Sequence, residues 1–186
     1  MSRLEIYNEA GEPTGARFTD HAAIGAELAR LGVRFEAWGA DRPLAATADQ
    51  EAVLAAYREQ VEALNEEYGF QSVDVVALRP DHPQAAEFRA KFLEEHTHDD
   101  FEARFFVDGS GLFYLHVNGQ VYLLMCEAGD LVSVPAGTTH WFDMGERPDF
   151  KCIRFFTVAD GWVAEMTGSG ISAGFPDYDR FRGAEA

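Results

Sequence analysis

The chain is short of lysine, of cysteine and of uninterrupted apolar sequence, and each shortage excludes something. Only two of its 15 cations are lysines, Lys91 and Lys151, and they face 32 acidic residues, for a formal net charge of −17 over 186 residues. A nucleic-acid partner needs clustered cations to displace counterions from phosphate, so this balance excludes one and disfavours an anionic membrane surface. The two cysteines, Cys126 and Cys152, form no CxxC pair and make no disulfide framework; reduced thiols in a cytoplasmic protein are expected. No run approaches the ~20 apolar residues of a membrane span. Met1 to Glu9 holds no apolar stretch of the kind a secretory leader carries. Nucleophilic catalysis has no support either: no G-x-S-x-G occurs, and neither cysteine has a histidine at diagnostic spacing.

What is present is core-forming material, with 47% hydrophobic residues and 15 Phe, 6 Tyr and 3 Trp among them. A chain of this size buries about 70% of the surface that it exposes when unfolded. The first half mixes helix and strand. Strands are expected at Leu4–Tyr7, Val33–Trp38 and Val73–Leu78, and helices at Asp20–Leu31, Ala48–Tyr68 and Pro83–Phe92. The second helix shows the clearest stripe: Val53, Tyr57, Val61, Leu64 and Tyr68 share one face, and Thr47 with Gln50 has capping-box spacing. After Glu95 the texture changes to short aromatic and β-branched runs: 102–108, 112–117, 120–126, 131–134, 138–143 and 151–158. Asn118-Gly119 between two of these runs is a strong hairpin signal. The tail from Gly168 is rich in Gly, Pro and Asp and is expected to be loop. No linker separates the halves. The expectation is one α+β domain over 1–186, mainly β: a mixed portion (1–93), barrel strands (94–160) with the helices packed on them, and a tail (161–186).

The chemistry concentrates in His96-Thr97-His98-Asp99-Asp100-Phe101-Glu102, joined by His140. Alternation on an extended segment puts both imidazoles of His96 and His98 on one face. Three imidazoles and one carboxylate suit a borderline divalent metal such as Fe, Ni, Mn or Co, whereas Ca and Mg want more oxygen ligands. Glu102 and Arg104 lie two apart on one strand, so a guanidinium stands beside the ligand set. His116 has no partner in spacing, and it reads as a satisfied or exposed histidine, as do His21 and His82.

Two motifs surround these residues: His96-x-His98-x(3)-Glu102-x(6)-Gly109, and Gly129-x(5)-Pro135-x-Gly137-x(2)-His140. They resemble the paired signatures of the cupin superfamily, with Ala90 where a glycine is often found and Met144 in place of the terminal Asn. The resemblance implies a cupin-type β-barrel, a double-stranded β-helix or jelly roll. In finer detail, Glu94-Glu95-His96-Thr97-His98, Arg104-Phe105-Phe106 and Val134 to Asp143 are similar to the acireductone dioxygenase family of methionine salvage. That similarity extends from about the Ala48 helix to Trp162. It implies one Fe²⁺ or Ni²⁺ per chain held by His96, His98, Glu102 and His140, with Arg104 promoting substrate deprotonation. Phe92, Phe142, Arg154 and Trp162 are candidate pocket residues, and Glu95 is a candidate for metal loading. The activity implied is cleavage of a 1,2-dihydroxy-3-keto compound by O₂, in a cytoplasmic monomer. With iron the products are formate and the 2-oxo acid precursor of methionine. With nickel they are formate, CO and a shorter carboxylic acid. The family usually has an acidic residue before the ligand Glu; Phe101 stands there. The alternatives are another cupin metalloenzyme, weakened by the scarcity of cations for a phosphate site, or a ligand sensor, weakened by the absence of a DNA-binding module.

Overall fold

The computed structural model of the chain describes residues 1–184. In chain order its elements are β1 (Arg3–Asn8), β2 (Pro13–Phe18), α1 (His21–Ala29), β3 (Arg34–Ala37), α2 (Gln50–Ala56), α3 (Arg58–Tyr68), β4 (Ser72–Leu78), α4 (Ala85–Leu93), β5 (His96–Thr97), β6 (Glu102–Val117), β7 (Gln120–Glu127), β8 (Asp130–Val134), β9 (Thr139–Asp143), β10 (Phe150–Phe156), β11 (Glu165–Met166) and α5 (Tyr178–Gly183).

The barrel is organised by β6, which serves two half-sheets. Its first half, from Glu102 to Gly109, pairs with β10 and, over residues 102–105, with β8. Its second half, Ser110 to Val117, pairs with β7 and, over residues 112–116, with β9. One half-sheet therefore runs β3-β8-β6-β10-β4 and the other β11-β5-β9-β6-β7-β1-β2, all pairs antiparallel. The bend falls at Gly109, whose φ of +69° suits glycine and where an added Cβ would lie 1.8 Å from the Asp149 carbonyl oxygen. The glycine that ends the first motif is therefore required by the turn of the strand from one half-sheet into the other. Asn118 (φ 54°) and Gly119 (φ 74°) make the hairpin from β6 to β7, as their sequence signal predicts.

Between the half-sheets lies an aromatic core. Phe142 is within 4.9 Å (centroid to centroid) of Phe113, 5.7 Å of Phe150 and 6.4 Å of Phe106. On the outer face of the first half-sheet, α2 and α3 bury Val53, Tyr57 and Leu64 against Phe105, Ile153 and Phe155. This apolar stripe is the one legible in the sequence. The helix it lies on is two helices, however, not one. The backbone at Tyr57 departs to φ −110°, ψ 24°, while its fully buried ring packs edge-on against Phe105 at 5.0 Å. The N-cap is Asp49, accepting from the Ala52 amide, rather than Thr47; Gln50 instead accepts from the Val75 amide on β4.

Pro13–Phe18 is a further strand, paired with β1. Two other expectations are corrected. The runs 102–108 and 112–117 are one continuous strand. The tail is not loop throughout: β11 pairs with β5, a short 3₁₀ turn spans Ile171–Gly174, and α5 follows. Asp177 caps α5 through the Arg180 amide, and Tyr178 and Phe181 bury against Leu112, Tyr114 and Trp141. Six residues are too few to display a helical period in a Gly/Pro/Asp-rich sequence.

Candidate metal centre

The antiparallel register of β5 with β9 sets His96 directly opposite His140, and His98 follows where the chain leaves β5. The three imidazoles are buried, and their ligand nitrogens all lie within 4.8 Å of one another. In each ring Nδ1 meets a backbone carbonyl: Glu94 O at 2.6 Å for His96, Val163 O at 2.9 Å for His98, and Thr138 O at 2.7 Å for His140. A carbonyl only accepts, so Nδ1 carries the hydrogen in all three and the Nε2 lone pairs are left to face the cluster. Burial pushes the His140 imidazole down to about 4, and it also lowers His96. Both rings thus stay neutral and able to ligate over a wide range.

Glu102 enters from the start of β6. Its Oε2 lies 3.1 Å from His98 Nε2 and 3.9 Å from His140 Nε2, and its other oxygen accepts from Arg104 Nε. Although fully desolvated, the carboxyl is held well below the usual range by the Arg104 guanidinium, His98 and His140. His98 is also desolvated, yet its hydrogen bond and attraction to Glu102 lift it above the ordinary imidazole value. A neutral Nε2 and a carboxylate oxygen are both acceptors, so a cation or a proton belongs between them. His140 Nε2 is a buried acceptor with no hydrogen-bond partner. An orphaned lone pair, two further imidazoles aimed the same way and a carboxylate fit a divalent metal.

Arg104 and Glu102 share a strand face, as the period of two predicts. The salt bridge between them is present, and the guanidinium is roofed by aromatic rings, 4.9 Å from the Phe142 centroid, 5.2 Å from Phe113 and 5.8 Å from Phe92. A cavity of about 480 Å³ opens beside them, with His96, His98, Glu102 and Arg104 on its polar wall and Phe92, Phe156 and Trp162 among its apolar ones. Arg154 also lines this cavity. Its strand, β10, lies between β4 and β6, and its guanidinium is fixed two-pronged on Asp74 at 2.9 and 2.7 Å.

Two candidates change role. Phe142 is not a cavity wall; it is 1% exposed and lies behind Phe92, beneath the Arg104 guanidinium. Glu95 is neither solvated nor turned toward the imidazoles. Its carboxylate accepts from Thr167 and Ser169 at 2.7 Å each and meets His116 Nδ1 at 2.8 Å, so it ties the C-terminal segment to β6. The Glu95 carboxylate is thus engaged away from the imidazole cluster, and His116 is a satisfied histidine. Asp74 and Asp100 are polar residues of the site that sequence reasoning missed. Their partners lie 80 and 57 residues away, and no spacing announces them.

The sequence profile of the ARD/ARD′ family matches residues 4–164. The acireductone dioxygenase of Aquifex aeolicus is 55% identical over 179 residues, 96% of this chain and 97% of that one. That of Methylococcus capsulatus is 54% identical over 176 residues, 95% of each chain. Among solved structures, an acireductone dioxygenase from Bacillus anthracis with a cadmium ion in its active centre superposes with a TM-score of 0.79 at 26% identity, covering 89% of this chain and 98% of that one. With the barrel, the imidazole cluster and these likenesses together, the chain belongs to the ARD/ARD′ family, the acireductone dioxygenases.

Proposed function

We propose that this chain is a metal-dependent acireductone dioxygenase in which His96, His98, Glu102 and His140 hold one Fe²⁺ or Ni²⁺. The observation that carries the reading is the buried, partnerless Nε2 of His140, in a cluster whose Nδ1 atoms are all committed to backbone carbonyls. The cadmium ion in the active centre of the Bacillus anthracis relative supports it. When bound, the metal supplies Lewis acidity and a template for a bidentate enediolate.

The rest is the work of the side chains. Arg104 keeps a fixed positive charge beside the reacting end of the substrate, roofed by Phe92, Phe113 and Phe142. In that dry setting it lowers the free energy of a second negative charge on the enediol far more than it would in water. The three carbonyl acceptors fix the tautomer and the aim of the imidazoles. Phe92, Phe156 and Trp162 give the apolar methylthio tail a surface and keep bulk water from the reacting carbons. Arg154, neutralised by Asp74, acts as a wall and not as a second anion site. The cleavage balances without another reductant: C₆ acireductone and O₂ give formate plus the C₅ 2-oxo acid, or formate, CO and the C₄ carboxylic acid.

The experiment is anaerobic loading with Fe²⁺ or Ni²⁺, exposure to O₂ with acireductone, and identification of the products. Loss of substrate no faster than without protein would refute the reading. No helix among the described residues is long and apolar enough to cross a membrane. We take the chain to work as a single domain, as a monomer and in the cytoplasm.

A further inference from the structure

Outside the ligand set, Asp100 is a heavily engaged carboxylate that lies in the chain between two of the ligands. It is 5% exposed and receives four hydrogen bonds. Oδ1 accepts from the Phe101 amide at 2.8 Å and from the Thr157 hydroxyl; Oδ2 accepts from the amides of Thr157 at 2.7 Å and Val158 at 3.0 Å. Asp100 lies two residues after His98 and two before Glu102. Thr157 and Val158 begin the segment that leaves β10, and this segment goes on to Val163, whose carbonyl accepts from His98 Nδ1 at 2.9 Å. Two turns connect the ends of the segment: Gly161 N donates to Val158 O at 3.2 Å, and Val163 N to Asp160 O at 3.0 Å. Gly161 packs so closely on the carboxylate that an added Cβ would lie 2.4 Å from Asp100 Oδ2. Trp162, next in the chain, lines the mouth of the cavity.

We infer that Asp100 is a positioning residue for His98. It holds both jaws of one clamp, the segment that bears the imidazole and the segment that bears the carbonyl orienting it. The same knot sets where Trp162 stands over the cavity. Phe101 does not compete for this role, since its ring stacks on Tyr68 at 4.8 Å. Asp100 acts through Val163 and not by touching the metal or the substrate. The inference rests on the metal reading of the site but not on the identity of the substrate.

The test uses the full chain and Ni²⁺ alone. Asp100→Asn is isosteric but replaces one acceptor oxygen with an amide donor, so one side of the clamp, the Thr157 and Val158 amides or the Phe101 amide and the Thr157 hydroxyl, loses its acceptor. Ni²⁺ affinity, measured by chelator competition, should fall by up to about 10-fold, the low end of what losing a direct outer partner of a ligating histidine causes, because Asp100 acts one contact further out, through Val163. Trp162 emission should shift to the red. Gly161→Ala, which presses on the carboxylate from the other side, should act in the same direction, and Thr157→Val more weakly. These two variants carry the test should Asp100→Asn fail to fold. Asp130→Asn is the control. Asp130 is as deeply buried and holds Ser2, His21 and the Glu127 amide, none of which lines the cavity. It should lower the melting temperature and leave Ni²⁺ affinity alone. Wild-type affinity in Asp100→Asn, with or without a lower melting temperature, would overturn the inference. A wild-type chain that binds Ni²⁺ but leaves acireductone untouched would refute the proposed activity and leave Asp100 in its role. One that binds no Ni²⁺ would overturn both.

Discussion

Replacing Arg104 by methionine keeps the stem that packs among Phe92, Phe113 and Phe142 and removes the charge. Two effects follow. The charge proposed to favour the dianionic substrate is gone, and in a water-poor pocket one such group accounts for about 10²–10³ in rate. Turnover per bound metal should fall by that factor. Glu102 also loses its cationic partner. Its burial favours the neutral acid, and of the groups that oppose this the guanidinium acts most strongly. A neighbouring guanidinium commonly lowers a carboxyl by ~1–3 units, so in the metal-free variant Glu102 should keep its proton to a higher pH. Because Glu102 starts well below its ordinary value, the variant should still hold metal at pH 7. The assays are metal content against pH and initial rate divided by metal content. Arg104→Lys should recover only part of the rate, since a flexible point charge does not reproduce the planar fork. An unchanged rate per metal would refute the catalytic assignment and leave Arg104 as the counterion of Glu102.

Three further outcomes are expected. His98 is lifted above the ordinary imidazole value of about 6.5 while ligation needs it neutral; Ni²⁺ binding near pH 6.5 should therefore release up to about one proton, with affinity rising with pH until His98 is deprotonated. Calorimetry in buffers of different ionisation enthalpy reads the release, and a zero result contradicts the assignment. Asp143 is fully buried, takes Arg89 at 2.7 and 3.0 Å, and accepts the Gly145 and Tyr178 amides at 2.9 Å each. Asp143→Asn should cost about 2–4 kcal/mol at neutral pH, at or below the usual range because Arg89 is partly exposed, which for a chain of this size is a melting-temperature drop of roughly 4–16 °C. Burial opposes the charge of Asp143, but Arg89 and the two amides hold the carboxyl below its ordinary value. Its contribution is therefore present above the unfolded value of about 3.9 and lost as pH falls through the folded one, so the gap between wild type and variant should narrow below about pH 4; a constant gap would contradict this. Gly111→Ala would put a Cβ 2.2 Å from Phe142 Cζ and should destabilise by at least ~1–3 kcal/mol; chemical denaturation reads this, and a neutral result would mean that the aromatic core yields.

The site was legible where its chemistry is local. His96 and His98 are two apart, as are Glu102 and Arg104, and a period of two places each pair on one face without knowledge of the fold. His140 was joined to them as a fourth ligand from a different strand, but its register opposite His96 belongs to the pairing of β5 with β9. What escaped depends on contacts between distant segments. Asp74 meets Arg154, and Asp100 meets Thr157, only because β4, β10 and the segment after β10 come together. Glu95 reads as a solvated carboxylate until Thr167, Ser169 and His116 are placed around it. Phe142 and Phe92 are both aromatic and near the motif, and nothing local says which faces the cavity. In the helices the apolar stripe gave the buried face correctly, but the break at Tyr57 is set by the surface of the barrel beneath it.

The bend of β6 at Gly109 has a mechanical consequence. His96 and His140 stand on one half-sheet and Glu102 on the other, while β6 is the strand common to both. A cation gripped by all of them is thus a rivet across a seam whose stitching is a single strand. Filling the site should stiffen the assembly of the two plates more than it stiffens either plate. Excess metal then adds about 4 kcal/mol when its concentration is a thousandfold above the dissociation constant, and this increment resists the parting of the plates at the mouth. Amide protection gained on loading should accordingly cluster on β5, β9 and the Glu102 end of β6, along the seam, and leave β1 and β2 at the far edge as they were.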